Sequence, residues 1–253
     1  MKITFLGTGT SQGVPIIGCQ CLVCKSGNAK DKRLRSSVLI EIQGKNFVID
    51  TGPDFRQQML RVEIPRLDAI LLTHSHKDHI SGFDDIRAFN YIQKEPMNVY
   101  LENATMTAIK RDFFYMFEAF KYPGVPEANF QIINEHAFQI NDITIQPIRV
   151  LHYKMPVLGF RIANFSYITD ANSISDDEIE KLKGTDILVL NCLRREPHIS
   201  HFSLDEAINL AKKINANKTY LTHISHQLGL HDIVNKELPN SISLAWDELQ
   251  IEI

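Results

Sequence analysis

The sequence predicts a single layered α/β domain over residues 1–253. Three observations carry that expectation. The length fits one α/β body without a second domain. Apolar residues make up 44% of the chain and charged residues 23%, which supports a large core and argues against disorder. Short apolar runs ending in His, Asp or Thr alternate with amphipathic stretches, and no linker, low-complexity tract or tandem repeat interrupts them.

The elements follow in order. Strands are expected at 3–6, 37–42 and 46–50, the last two joined by a hairpin turn at Gly44 and Lys45. Residues 55–62 keep helical spacing. The apolar run 69–72 is too short for a buried helix and passes directly into Thr73 and His74, so it reads as a central strand. Helices are expected at 84–92 and 104–117, the second because aromatic residues recur on one side, with a strand at 99–101 between them. The second half repeats the style, with strands at 143–151 and 159–169, a helix at 176–183 and a buried-type strand at 186–190. Ser203 and Glu206 form a capping-box signature before Ala207, Ile208, Leu210, Ala211 and Ile214 at helical spacing. A strand at 218–221 then leads to His223.

Charge and composition exclude several classes. The net charge of −3 comes without a basic run, so nucleic acid is an unfavourable partner and any nucleotide-like substrate is small. Met1-Lys2-Ile3-Thr4-Phe5 enters a β pattern instead of a signal-peptide pattern, and no window approaches roughly 18 uninterrupted apolar residues. The expectation is a cytoplasmic protein without a membrane partner, its oligomeric state open, a homodimer included. In a reducing compartment the cluster Cys19, Cys21 and Cys24 suggests a metal site over disulfides. His226, three residues after His223, is a candidate fourth donor, and buried free thiols are the alternative.

The chemistry concentrates in His74-Ser75-His76-Lys77-Asp78-His79, three imidazoles and a carboxylate directly after a buried strand. Imidazole nitrogen and carboxylate oxygen suit Zn²⁺, Mn²⁺ and Fe²⁺, and this spacing lets one loop serve two ions. Two openly coordinated ions need more donors. His152, Asp170 and His223 each stand at the end of an expected strand, the edge where α/β sheets build sites.

With these residues the chain resembles the metallo-β-lactamase superfamily, whose H-x-H-x-D-H signature stands unaltered from His74 to His79. The resemblance implies an αββα sandwich, two mixed β-sheets flanked by helices. It implies one ion held by His74, His76 and His152, a second by Asp78, His79 and His223, and Asp170 between them. Asp50 matches the early Asp-Thr-Gly motif and is expected to orient the ligand loop. The cysteine loop, together with residues 221–227, resembles the phosphoribosyl cyclic phosphodiesterases of the carbon–phosphorus lyase pathway. That implies a small cyclic phosphodiester substrate, a structural zinc at Cys19, Cys21, Cys24 and His226, and a catalytic role for His201 beside Asp78. The segment 90–141 matches no motif of that family.

The expected cofactors are two divalent ions, Zn or Mn, and one structural Zn. Such an ion pair lowers the pKa of a shared water, providing hydroxide to attack phosphorus. His201 would act on the leaving group or donate to phosphoryl oxygens. Taken alone, it reads as a helix-start residue before the Ser203 cap. His136, His198 and His231 have no assigned role, and Cys192 reads as core. The competing readings are a ribonuclease like the tRNA 3′-processing endonuclease, a protein like the pyrroloquinoline-quinone biosynthetic branch, and a non-catalytic metal-binding module.

Overall fold

A computed structural model of the chain describes residues 1–120 and 122–253. Alternating and continuous apolar runs form β1 (Lys2–Gly7), β2 (Ser37–Ile42), β3 (Lys45–Ile49), β4 (Ala69–Leu71), β5 (Met97–Leu101) and β6 (Ala128–Ile132) in the first half. The second half contributes β7 (Phe138–Ile140), β8 (Ile143–His152), β9 (Met155–Ile162), β10 (Phe165–Ile168), β11 (Ser173–Ile174), β12 (Ile187–Asn191), β13 (Lys218–Thr222), β14 (Ile242–Leu244) and β15 (Gln250–Glu252). One sheet has the order β15-β1-β2-β3-β4-β5-β6, the other β11-β8-β9-β10-β12-β13-β14 with β7 paired to β8. Each begins antiparallel and turns parallel, at β3–β4 in the first and β10–β12 in the second.

Parallel neighbours need crossovers, and helices supply them. The helices are α1 (Leu22–Lys25), α2 (Phe55–Val62), α3 (Lys77–Ile80), α4 (Arg87–Gln93), α5 (Asn103–Asp112), α6 (Asp176–Leu182), α7 (Leu204–Ile214) and α8 (His231–Glu237). Between the sheets, Ile3, Phe5, Val38, Ile40 and Phe47 meet Leu158, Phe160, Phe165 and Tyr167 in one apolar core. On the outer face of the first sheet, Ile70, Val99 and Leu101 pack with Phe55, Phe89 and Ile109. On the outer face of the second, Leu188, Leu190 and Leu221 pack with Ile179, Ala207, Leu210 and Val234. The layers therefore run αββα. The cap of α7 forms as its sequence indicates, Glu206 accepting the Ser203 backbone N–H at 2.8 Å.

Four sequence expectations need correction. The first hairpin turns at Gln43–Gly44, one residue early, because those two residues take the positive φ (50° and 73°) that such a turn requires. The helix expected over 84–92 begins as a 3₁₀ turn, Phe83–Ile86, before α4. The helix expected over 104–117 stops at Asp112: Phe113 leaves helical geometry, and a 3₁₀ turn, Phe114–Phe117, follows. Around that break Phe113 and Met116 enter the core while Phe114 is exposed. The strand expected over 159–169 is two strands, β9 and β10, turning at Ala163 with φ 50°. No helix among the described residues is long and apolar enough to cross a membrane.

Candidate metal centre

The strand ends of both sheets converge on one edge. After β4 the chain passes through Thr73, His74 and His76 into the single turn α3, which carries Asp78 and His79. Asp50 follows β3, His152 ends β8, Asp170 follows β10 after Thr169, and His223 follows β13. Asp50, Asp170 and His223 leave their strands with φ of 66°, 50° and 57°. This left-handed backbone is costly for non-glycine residues and clusters at functional positions.

The donors lie close together. Asp78, His79, Asp170 and His223 place ligand atoms within 4.8 Å of one another, and so do His74, His76 and Asp170. The His152 ring lies 5.0 Å from that of His76 and 5.9 Å from that of His74. His152 also groups with Asp170 and His201 within 4.8 Å. Asp170 belongs to all three sets.

A second set of contacts aims the imidazoles. His152 Nδ1 donates to the Ser200 carbonyl at 2.8 Å, and His79 Nδ1 to Asp50 Oδ2 at 2.6 Å. His74 Nδ1 lies 2.9 Å from the Thr73 hydroxyl, which in turn donates to Asp50. Each contact leaves Nε2 free to face the cluster, the usual arrangement around ligating histidines. The backing loop is tight: Thr51 N–H donates to His79 O at 2.8 Å, Gly82 N–H donates to Thr51 O at 2.9 Å, and a Cβ at Gly52 would meet Asp78 O at 2.1 Å.

These residues fit divalent cations. Asp50 and Asp170 are buried and Asp78 nearly so, yet among the described residues their ion-pair partners are histidines alone, with no Lys or Arg. Buried carboxylates without a counter-cation are costly. His74 Nε2 and His79 Nε2 are buried without a hydrogen-bond partner. Burial holds Asp50 above the usual carboxylate range, whereas for Asp170 burial is outweighed by His223 and His79, which hold it well below. Burial is likewise outweighed at His79, where Asp170, Asp78 and Asp50 raise the imidazole well above its ordinary value. Such a concentration of negative charge on one imidazole is what an ion between these side chains would relieve.

His201 stacks on His223 at 4.9 Å and lies 4.5 Å from the His152 ring, with Nδ1 buried and unpartnered. Burial, helped by His223, lowers its pKa to about 3. The cysteine loop reaches the same region: Cys19, Cys21 and Cys24 Sγ lie 3.4, 3.3 and 3.6 Å from His226 Nδ1. Ile224, between His223 and His226, is stitched to the opening segment, donating to Thr8 O at 2.9 Å and accepting from Thr10 N–H at 3.1 Å.

A sequence profile of the beta-lactamase superfamily domain matches residues 45–224. The chain belongs to the metallo-β-lactamase superfamily. Over 99% of its length it is 39% identical to a protein of Porphyromonas gingivalis named octanoyltransferase, but it spans only about half (51%) of that protein. It is 22% identical to ribonuclease Z of Staphylococcus epidermidis, covering 96% of this chain and 94% of that one. Among solved structures, a diphosphatase of the PhnP family is similar at 40% identity with a TM-score of 0.93, covering 100% of this chain and 97% of that one. Human tRNase Z, short form, is similar in fold, with 18% identity, a TM-score of 0.75 and coverage of 100% and 99%. This metallo-β-lactamase chain is thus similar in sequence and fold to a diphosphatase of the PhnP family, with the αββα sandwich expected.

Within this metallo-β-lactamase fold, several site residues escaped the sequence reading. Thr10 Oγ1 lies 3.2 Å from His223 Nε2, and Thr169 donates to Asp170 Oδ1 at 2.8 Å. Asn191 brackets the residue after Asp170, its side chain exchanging two 2.9 Å bonds with the Ala171 backbone. Thr10 sits in Gly7-Thr8-Gly9-Thr10 directly after β1, a signal that could have marked it, whereas the Ser200 carbonyl has no residue signature. Cys192 is core, His231 contacts Arg33 Nη2 at 3.1 Å, and His136 is exposed, all away from the cluster.

Proposed function

We propose that this hydrolase cleaves a small cyclic phosphodiester. His74, His76 and His152 would hold one zinc or manganese ion, Asp78, His79 and His223 the other, with Asp170 shared. Cys19, Cys21, Cys24 and His226 would hold a structural zinc. The observation that supports this most is Asp170, whose carboxylate groups with donors from both sides of the cluster. The 40% identity to a diphosphatase extends the substrate class to diphosphates, since hydrolysis of an ester bond and of an anhydride bond both require attack at a negatively charged phosphorus.

When bound, paired divalent ions activate water and neutralise charge on phosphoryl oxygens. The chain's own groups do the positioning. Asp50, Thr73 and the Ser200 carbonyl fix imidazole tautomers. His201, in van der Waals contact with His223 and His152, presents a neutral imidazole N–H to a phosphoryl or leaving oxygen. That donor role suits its buried setting better than proton release as an imidazolium.

Hydrolysis of bis-(para-nitrophenyl) phosphate by zinc- or manganese-loaded protein tests the proposal. Turnover without cleavage of nitrocefin or precursor tRNA is expected. Fully loaded protein without turnover would favour the non-catalytic module, and salt-dependent tRNA cleavage would favour the ribonuclease reading.

A further inference from the structure

Two cavities open on the metal centre and share Met155 as a wall. One, of about 510 Å³, is lined by His76, His152, Tyr153, Lys154, Met155 and Ser200. The other, of about 270 Å³, has His74, Glu102, Asn103, Thr105 and Asn134 in its walls. They differ in charge. No Lys or Arg lines the smaller one, and its Glu102 is committed to Arg149 through bonds of 2.8 and 2.5 Å. In the larger, the Lys154 ammonium has no ion-pair partner among the described residues and stands 5.4 Å from the Tyr153 ring.

Tyr153 and Lys154 are the two loop residues of the β8–β9 hairpin, since His152 pairs with Met155. Tyr153 has φ 57°, a conformation that Gly, Asn or Asp adopts more cheaply. Tyr153 is 50% exposed, so core packing does not account for a tyrosine there. The hairpin is nonetheless held firmly: Tyr153 N–H donates to Asn172 Oδ1 at 2.7 Å, and Asn172 N–H donates to Leu151 O at 2.9 Å. These bonds tie the tip to the segment that follows Asp170.

We infer that the Tyr153–Lys154 tip is a specificity-determining subsite for this reaction. The Tyr153 ring stacks on a planar group, and Lys154 pairs with a second phosphate on the substrate arm that extends past His76 and His152. The arm without that charge lies in the smaller cavity, whose walls offer amides and hydroxyls. The inference rests on the phosphodiesterase reading above.

Thymidine 5′-(para-nitrophenyl phosphate) and its 3′-phosphorylated analogue share a ring and a scissile bond and differ by one phosphate. Metal-loaded protein should show a KM about tenfold lower for the analogue, the size of one charge-assisted contact. Lys154→Gln should bring the two KM values within about twofold of each other, and should weaken calorimetric binding of thymidine 3′,5′-bisphosphate by a similar factor. Tyr153→Asn should raise KM for all three esters, each of which can place a planar ring on that arm, while the melting temperature holds or rises. A merely structural tyrosine would lower the melting temperature and leave KM unmoved. Equal KM values in the parent protein, a preference that survives Lys154→Gln, or rejection of both nucleoside esters beside active turnover of bis-(para-nitrophenyl) phosphate would overturn the subsite. Failure of all three substrates would remove the phosphodiesterase reading, and the subsite with it.

Discussion

Replacing Asp50 by asparagine perturbs two neighbours through one buried group. Asp50 Oδ2 accepts from His79 Nδ1 at 2.6 Å, and Oδ1 accepts from Thr73 N–H at 2.9 Å. A carboxamide has a single acceptor oxygen. If that oxygen stays with Thr73, the new NH₂ faces His79 Nδ1 and drives the imidazole proton onto Nε2, the nitrogen 3.2 Å from both Asp78 and Asp170. If the amide flips, the buried Thr73 N–H loses its acceptor and the loop carrying His74 loosens. Either way one ion position loses a well-aimed ligand. Loss of such an orienting contact weakens metal affinity 10–100-fold, or about 1.4–2.7 kcal/mol. Competition for zinc against a chromogenic chelator, with elemental analysis and circular dichroism as controls, measures the change. An Asp50→Asn protein that binds two ions within about twofold of the parental affinity would refute this reasoning.

Three further outcomes follow from the geometry. His201→Ala should keep its full metal content and lose roughly a hundredfold or more in turnover; a parallel loss of metal would make His201 a ligand. Cys21→Ser or His226→Ala should lower total zinc by one equivalent and depress the melting temperature, and an unchanged zinc count would leave the cluster as free thiols. Burial pushes Asp247 up to about 6 although Thr8 and Leu34 donate to it, so its contribution to stability is complete below about pH 4 and lost as pH rises through 6. Relative to Asp247→Asn, the parent protein should therefore gain up to about 3 kcal/mol between pH 7 and pH 4 in denaturant titrations; a difference independent of pH would contradict the shift.

Strands and ligands were legible in the sequence for different reasons. The β2–β3 hairpin and β4 announce themselves through short continuous apolar runs, because both faces of these strands are covered and successive residues are buried. The His74–His79 loop is legible because such a donor density has few structural uses. β6 was not legible: its side chains are largely exposed, so no burial pattern marks it. The short strands β7, β11, β14 and β15 hold two or three residues each, too few to show a period. The break at Phe113 was hidden because aromatic spacing alone does not say which ring enters the core. At the site, the stacking of His201 on His223 depends on the loop before α7 meeting the end of β13, and the Ser200 carbonyl belongs to a backbone that every residue possesses.

The stitch between Ile224 and residues 8–10 gives the two candidate metal clusters a common mooring. His223 lies on one side of Ile224 and His226 on the other, while Thr10, which touches His223, continues toward the cysteines. Zinc in the sulfur-rich cluster would therefore narrow the positions open to His223, and the two proposed filling events would be thermodynamically linked, each strengthening the other by one shared factor. Zinc titrations should accordingly show steeper loading in the parent protein than in Cys24→Ser, whose catalytic ions would bind as if the other cluster did not exist.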